Sequence, residues 1–105
     1  MGNRIDLDSK LRAIAKLHSG SENVYFQPTN NIRMKYPAIR YSRNNIENRF
    51  ADDSVYSQNT SYTATVIDKD PDSQIVVDVS RLPKCRHVRH YVADGLNHDV
   101  FTIYE

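Results

Sequence analysis

Residues 61–83 read SYTATVIDKDPDSQIVVDVSRLP, and the periodicity of the chain changes halfway through them. From Tyr62 to Ile67 the run is rich in β-branched and aromatic side chains, which suit a pleated strand. Tyr62, Ala64 and Val66 fall on one face and Thr63, Thr65 and Ile67 on the other. Asp70-Pro71-Asp72-Ser73 then reads as a helix start, with Asp70 as cap and Pro71 in the first turn. Ile75, Val79 and Leu82 recur at helical spacing, and Pro83 closes the segment. The β-branched Ile75-Val76-Val77 keeps a strand open as the rival reading, and the acidic start favours the helix. A strand that hands its chain to a helix sets the class: a sheet with helices laid on it.

Downstream, HVRHYVA (87–93) and NHDVFTIYE (97–105) flank Asp94-Gly95, a turn dipeptide that tolerates positive φ, so a hairpin is expected. Val100 and Ile103 should lie on opposite faces of its second strand. Upstream, Tyr36-Pro37 forces an extended start to AIRYS (38–42), where Ile39 and Tyr41 alternate with Ala38 and Arg40. A first helix is predicted over about Asp8–His18, capped by Asp6 or Asp8 and stopped at Ser19-Gly20. Its stripe is Leu7, Leu11, Ile14, Ala15 and Leu17. The core is expected to draw on Leu11, Ile14, Val66 or Ile67, Val79 and Phe101.

ENVYFQ (22–27) matches a protease site used to remove purification tags. Pro28 follows the cleavage point and makes it a poor scissile bond, and the upstream residues have a helical pattern of their own. A short native strand fits better, with Val24 and Phe26 on one face and Tyr25 and Gln27 on the other. Residues 28–35, PTNNIRMK, read as a polar loop. Residues 43–58, RNNIENRFADDSVYSQ, offer only Ile46, Phe50, Val55 and Tyr56 as apolar anchors. They read as an irregular arm or an extended hairpin that packs on a neighbouring subunit. The expected fold is therefore α+β: one domain over 1–105, an antiparallel or mixed sheet of four to five strands, two helices on one face, and an arm at 43–58.

Composition narrows the function. With 14 Lys and Arg against 13 Asp and Glu, the chain lacks the broad positive field of a DNA-binding domain. One cysteine, Cys85, excludes an internal disulfide, and no secretory signal or long apolar run is present, which points to a soluble protein of a reducing cytoplasm. DKDPD (68–72) resembles half a calcium loop but has Ser73 and Val79 where that loop needs glycine and glutamate. Cys85, His87, His90 and His98 could supply zinc ligands, yet if 87–93 is a strand His87 and His90 should point to opposite faces. A Cys–His–Asp set with Asp94 or Asp99 has no sign of a pocket to activate the thiolate. The expectation is no catalytic residue, no metal and no cofactor. Arg33, Lys35, Arg40 and Arg43, interleaved with Tyr36 and Tyr41, form a basic stripe that could touch nucleic acid, guard an edge strand, or face acidic stretches such as DLD and DKDPD on a neighbour. With Arg49, Phe50 and Tyr56 of the arm, these four are the expected interface residues.

NVYFQP (23–28), KYPAIRYSRN (35–44), YTATVIDKDPDS (62–73) and YVADGLNHDVFTIYE (91–105), in this order, resemble small neck proteins of tailed bacteriophages infecting Gram-positive bacteria. The resemblance spans residues 22–105 and is nearest to the tail-terminator or tail-completion type. It implies a non-enzymatic virion subunit, made in the host cytoplasm, that forms a homo-oligomeric ring, typically a hexamer. Such a ring caps the tail tube, docks it to the connector, has no membrane partner, and leaves room for passive contact with DNA in its lumen. The neighbouring stopper or head-closure layer and a small nucleic-acid-binding module are the alternatives.

Overall fold

Strand alternation at the centre of the chain organises the whole molecule. A computed structural model describes residues 4–20, 22–28, 35–51 and 54–104, with the side chains of 45–51 and 54–59 outside that description. The elements follow in the order α1 (Arg4–Ser19), β1 (Val24–Phe26), β2 (Ala38–Ala51), β3 (Ser54–Asp68), α2 (Gln74–Ser80), β4 (Cys85–Ala93) and β5 (Leu96–Tyr104). The five strands form one mixed sheet in the order β1-β2-β3-β5-β4, in which only β1 and β2 run parallel. This is the α+β class read from the sequence, with both helices on one face.

Tyr62, Ala64 and Val66 of β3 are buried under the helices, as their alternation predicts, together with Ile39 and Tyr41 of β2 and Phe101 and Ile103 of β5. Leu7, Leu11 and Ala15 of α1 and Ile75 and Val79 of α2 close that core, with Ile14 packed at its margin. Leu17 is not part of the stripe: it is 73% exposed. Val100 and Ile103 lie on opposite faces, since Ile103 pairs with the buried Tyr62 and Val100 with Thr65 on the far side. Among the described residues no helix is long and apolar enough to cross a membrane.

Two helix starts differ from the sequence reading. Helix α1 begins at Arg4, a turn before the expected Asp8, so Asp6 and Asp8 are helical residues instead of caps. Asp8 is turned inward. It accepts hydrogen bonds from the Tyr41 hydroxyl and from Arg12 Nε, both at 2.5 Å. Arg4 reaches the same place, with Cζ 4.6 Å from the centroid of Phe26, whose ring packs 4.9 Å from that of Tyr41. These contacts tie α1 to β1 and β2. Helix α2 begins after Ser73, and Asp70 does not cap it. Asp70 is committed to the turn before the helix, where its Oδ1 accepts from the Asp72 amide at 2.9 Å. The far end of α1 is as expected, with Gly20 at φ +77° and its amide donating to the Lys16 carbonyl.

The β4–β5 hairpin turns through Asp94 and Gly95, both at positive φ, as the dipeptide predicts. A Cβ on Gly95 would meet nothing within 4 Å, so Gly95→Ala should cost only the left-handed backbone penalty, about 1 kcal/mol. Urea unfolding checks it. A loss above about 3 kcal/mol would show that the turn rearranges.

Beyond the sheet, β2 and β3 continue to pair with each other, with no third strand beside them among the described residues. Partner β5 leaves β3 at Ser61, and the antiparallel ladder runs on from Asn45↔Ser61 to Ala51↔Ser54. The backbone over 45–51 and 54–60 is thus a two-stranded ribbon with one register shift of its own, between Arg49 and Phe50, where the sequence left irregular arm and hairpin both open. At about 3.3 Å per residue it extends roughly 20 Å past the sheet. An extra residue in β2, at the register shift between Arg43 and Asn45, marks the point where it departs.

Candidate interaction face

The helices cover one side of the sheet; among the described residues no helix lies on the other, where Arg40 is exposed and Ala38 and Ile67 are buried. Register places Ala38, Arg40 and Ser42 of β2 on it, with Thr63, Thr65 and Ile67 of β3 beside them. His98, Val100 and Thr102 of β5, and Arg86, Arg89 and Tyr91 of β4, complete the face. None of these positions is a carboxylate. A groove of about 250 Å³ runs across the middle, lined by Pro28, Arg40, Ser42, Thr63, Thr65, Arg89, Tyr91, His98 and Val100.

Its geometry comes from one transverse row. Arg40 pairs with Thr65, Thr65 with Val100, and Val100 with Arg89. Strands lie about 4.8 Å apart, so the two arginine stems stand roughly 14 Å apart with small side chains between them. At one end of the groove Tyr91 stacks on His98, with centroids 4.7 Å apart at 11°. The Arg89 Cζ lies 5.1 Å from the Tyr91 centroid. His98 Nδ1 donates to the Leu96 carbonyl at 3.0 Å, which holds the ring in place. The result is a polar, cationic, hydroxyl-bearing trough with an aromatic end, suited to holding anionic groups.

Only part of the predicted interface assembles here. Arg40 does. Arg43 pairs with Tyr62, so by register it belongs to the helix-covered side, and its amide donates to Gln27 Oε1 at 3.4 Å. Lys35 is exposed in the segment before β2, where its amide donates to the Tyr25 hydroxyl. Arg33 lies outside the described residues, and Arg49, Phe50 and Tyr56 contribute described backbone in the ribbon but no described side chain. The basic stripe is therefore split by strand alternation, which sends Arg40 and Arg43 to opposite faces. The second arginine of the groove, Arg89, comes instead from β4. Its neighbours in CRHVRHYVA gave no signal, because its face is set by a bulge.

That bulge also corrects the histidine reading. A register shift between His87 and Arg89 leaves Val88 extra, and His87 and His90 end on the same side of the sheet, paired with Phe101 and Asp99. His98 is on the other side, stacked on Tyr91. His87 Nε2 lies 3.1 Å from Asp99 Oδ1, and His90 Nε2 lies 3.1 Å from Asn97 Oδ1. Burial pushes the Cys85 thiol pKa up, which disfavours the thiolate a nucleophile needs. Asp68 and Asp70 each accept a backbone amide two residues on. Among the described residues no three His, Cys, Asp or Glu side chains gather as metal ligands.

No protein-family model matches this sequence, and no curated protein is significantly similar to it.

Proposed function

We propose that the protein is a structural ring subunit of the head–tail junction of a tailed bacteriophage, of the tail-terminator type. The observation that carries this reading is the β2–β3 ribbon, whose strands beyond Ser61 have no neighbouring strand among the described residues. A two-stranded ribbon alone is marginal in water, and a neighbouring subunit supplies the missing burial. The open sheet face offers a second contact surface, and the sequence resemblance across residues 22–105 supplies the setting. In this role the chain has no enzymatic activity and no cofactor. Its partners are further copies of itself, the tail tube and the connector, and it resides in the virion neck. The ribbon, with Arg49, Phe50 and Tyr56, is the inter-subunit arm.

Light scattering on the eluting protein should report a ring, with the mass of six 12.2 kDa chains as the expected value, or a monomer that becomes a ring on purified tail tubes. Hydrogen exchange over 43–58 should be fast in the monomer and slow after assembly. A monomer that never joins tail tubes overturns the reading, and binding to isolated connectors alone moves the protein to the stopper layer. One observation favours a second reading, a nucleic-acid-binding module: Arg40 and Arg89 share the groove with the Tyr91–His98 stack. Tight duplex or single-strand binding with a steep salt dependence would select it.

A further inference from the structure

We propose that the open-face groove receives the acidic turn Asp68–Asp72 of a second copy of this chain. The proposal rests on the ring reading above and names the contact that would propagate the ring. The groove presents two guanidiniums at the ends of one row, with Thr65 and Val100 between them and the hydroxyls of Ser42 and Thr63 in the next row. Its natural occupant is a compact segment carrying closely spaced carboxylates.

The chain carries such a segment at the end of β3. Asp70, Pro71 and Asp72 are exposed. The turn is held in shape before any partner arrives: the Asp70 amide donates to Asp68 Oδ1 at 3.1 Å and the Asp72 amide to Asp70 Oδ1 at 2.9 Å. Pro71 fixes a further backbone angle. Little ordering therefore remains to oppose docking, and each internal bond engages a single carboxylate oxygen.

Within one subunit the two surfaces cannot meet. Strand β3 carries the turn off the end of the sheet, and the chain then enters α2, which packs on the face opposite the groove. The contact must join different copies, and because groove and turn are different surfaces it is head-to-tail. Repeated contacts of that kind close into a ring or run on as a filament. Nucleic acid is the weaker occupant. A chain of net charge +1 lacks the extended field that follows a phosphate backbone, whereas the turn matches the local charge of the groove.

Charge reversal tests this on the full chain. Arg40→Glu with Arg89→Glu inverts the groove, and Asp70→Lys with Asp72→Lys inverts the turn. All four side chains are exposed, so circular dichroism should match the wild type. If either variant misfolds, the glutamine and asparagine versions replace it. In sedimentation velocity each variant alone should self-associate at least about tenfold more weakly than the wild type. An equimolar mixture should assemble again, since every junction then joins unlike charges in an alternating order. Variants that assemble like the wild type overturn the proposal and leave the ring reading standing. Groove-dependent assembly that never seats on tail tubes supports the proposal and overturns that reading. A wild-type chain monomeric at all concentrations overturns the proposal. So does single-stranded DNA binding that is lost in the groove variant while self-association is unchanged.

Discussion

Phe101→Ala should lower the unfolding free energy by about 3–5 kcal/mol, the range for a buried aromatic truncated in a core. Phe101 has no exposed surface and sits on a strand flanked by β3 and β4. Its partner across the β3 ladder is Ala64, also fully buried, so the large ring occupies the space the small side chain leaves. On the β4 side the His87 ring meets it edge-on at 5.1 Å. With Ala at both positions the paired backbones, fixed by the ladder, cannot close the gap. For a domain of this size such a loss lowers the melting temperature by roughly 15 °C or more. Val100→Ala on the open face should cost much less and serves as the control. A Phe101→Ala protein that melts within a few degrees of the wild type would place the core elsewhere.

The second large effect concerns Tyr41 and Asp8. Tyr41→Phe keeps the buried ring and removes the 2.5 Å hydrogen bond to the Asp8 carboxylate, at an expected cost of about 2 kcal/mol near neutral pH. Burial acts to raise the Asp8 pKa, but the hydrogen bonds from Tyr41 and Arg12 and the charges of Arg12 and Arg4 outweigh it and hold the pKa below the ordinary value. A carboxylate with a depressed folded pKa stabilises the fold above its unfolded pKa, and this contribution is lost as pH falls through the folded value. Tyr41 behaves oppositely. Burial, then the hydrogen bond to Asp8, pushes its pKa from 10.0 up to about 12. The neutral phenol is favoured in the folded state, so stability is retained below pH 10 and falls between 10 and about 12. At about 1.4 kcal/mol per unit, the loss by pH 12 is on the order of 2 kcal/mol. Urea titrations at pH 7 and pH 11 should show a fall in the wild type and a smaller one in Tyr41→Phe. Equal falls in both proteins would separate the alkaline loss from Tyr41.

Alternation and helical spacing were legible wherever one side of an element faces the core. Tyr62, Ala64 and Val66, and Ile75 and Val79, lie as their spacing implies because burial penalises any other register. The helix starts were misread because an aspartate has more than one use near a terminus. Asp8 serves a tyrosine from β2, 33 positions away in sequence, which no local pattern reveals. The groove was half legible. Arg40 stands on a strand whose alternation is plain, but Arg89 follows a bulge that reverses the face of everything after Val88. That β2 and β3 pair as a ribbon over 45–51 and 54–60 was not decided by the sequence, because apolar side chains are countable there and ladder hydrogen bonds are not.

The extra residue at the base of the ribbon acts as a parity switch. Past the shift between Arg43 and Asn45, every β2 position exchanges sides relative to a continuous strand, and the local twist steepens. Deleting one residue there would turn the β2 side of the ribbon inside out while leaving the sheet beneath intact. Adding one residue to each strand at the tip would lengthen the ribbon by about 3.3 Å and leave that parity untouched. A second shift, between Arg49 and Phe50, leaves an extra β3 residue near the tip, so parity is set on β2 at the base of the ribbon and on β3 near its end.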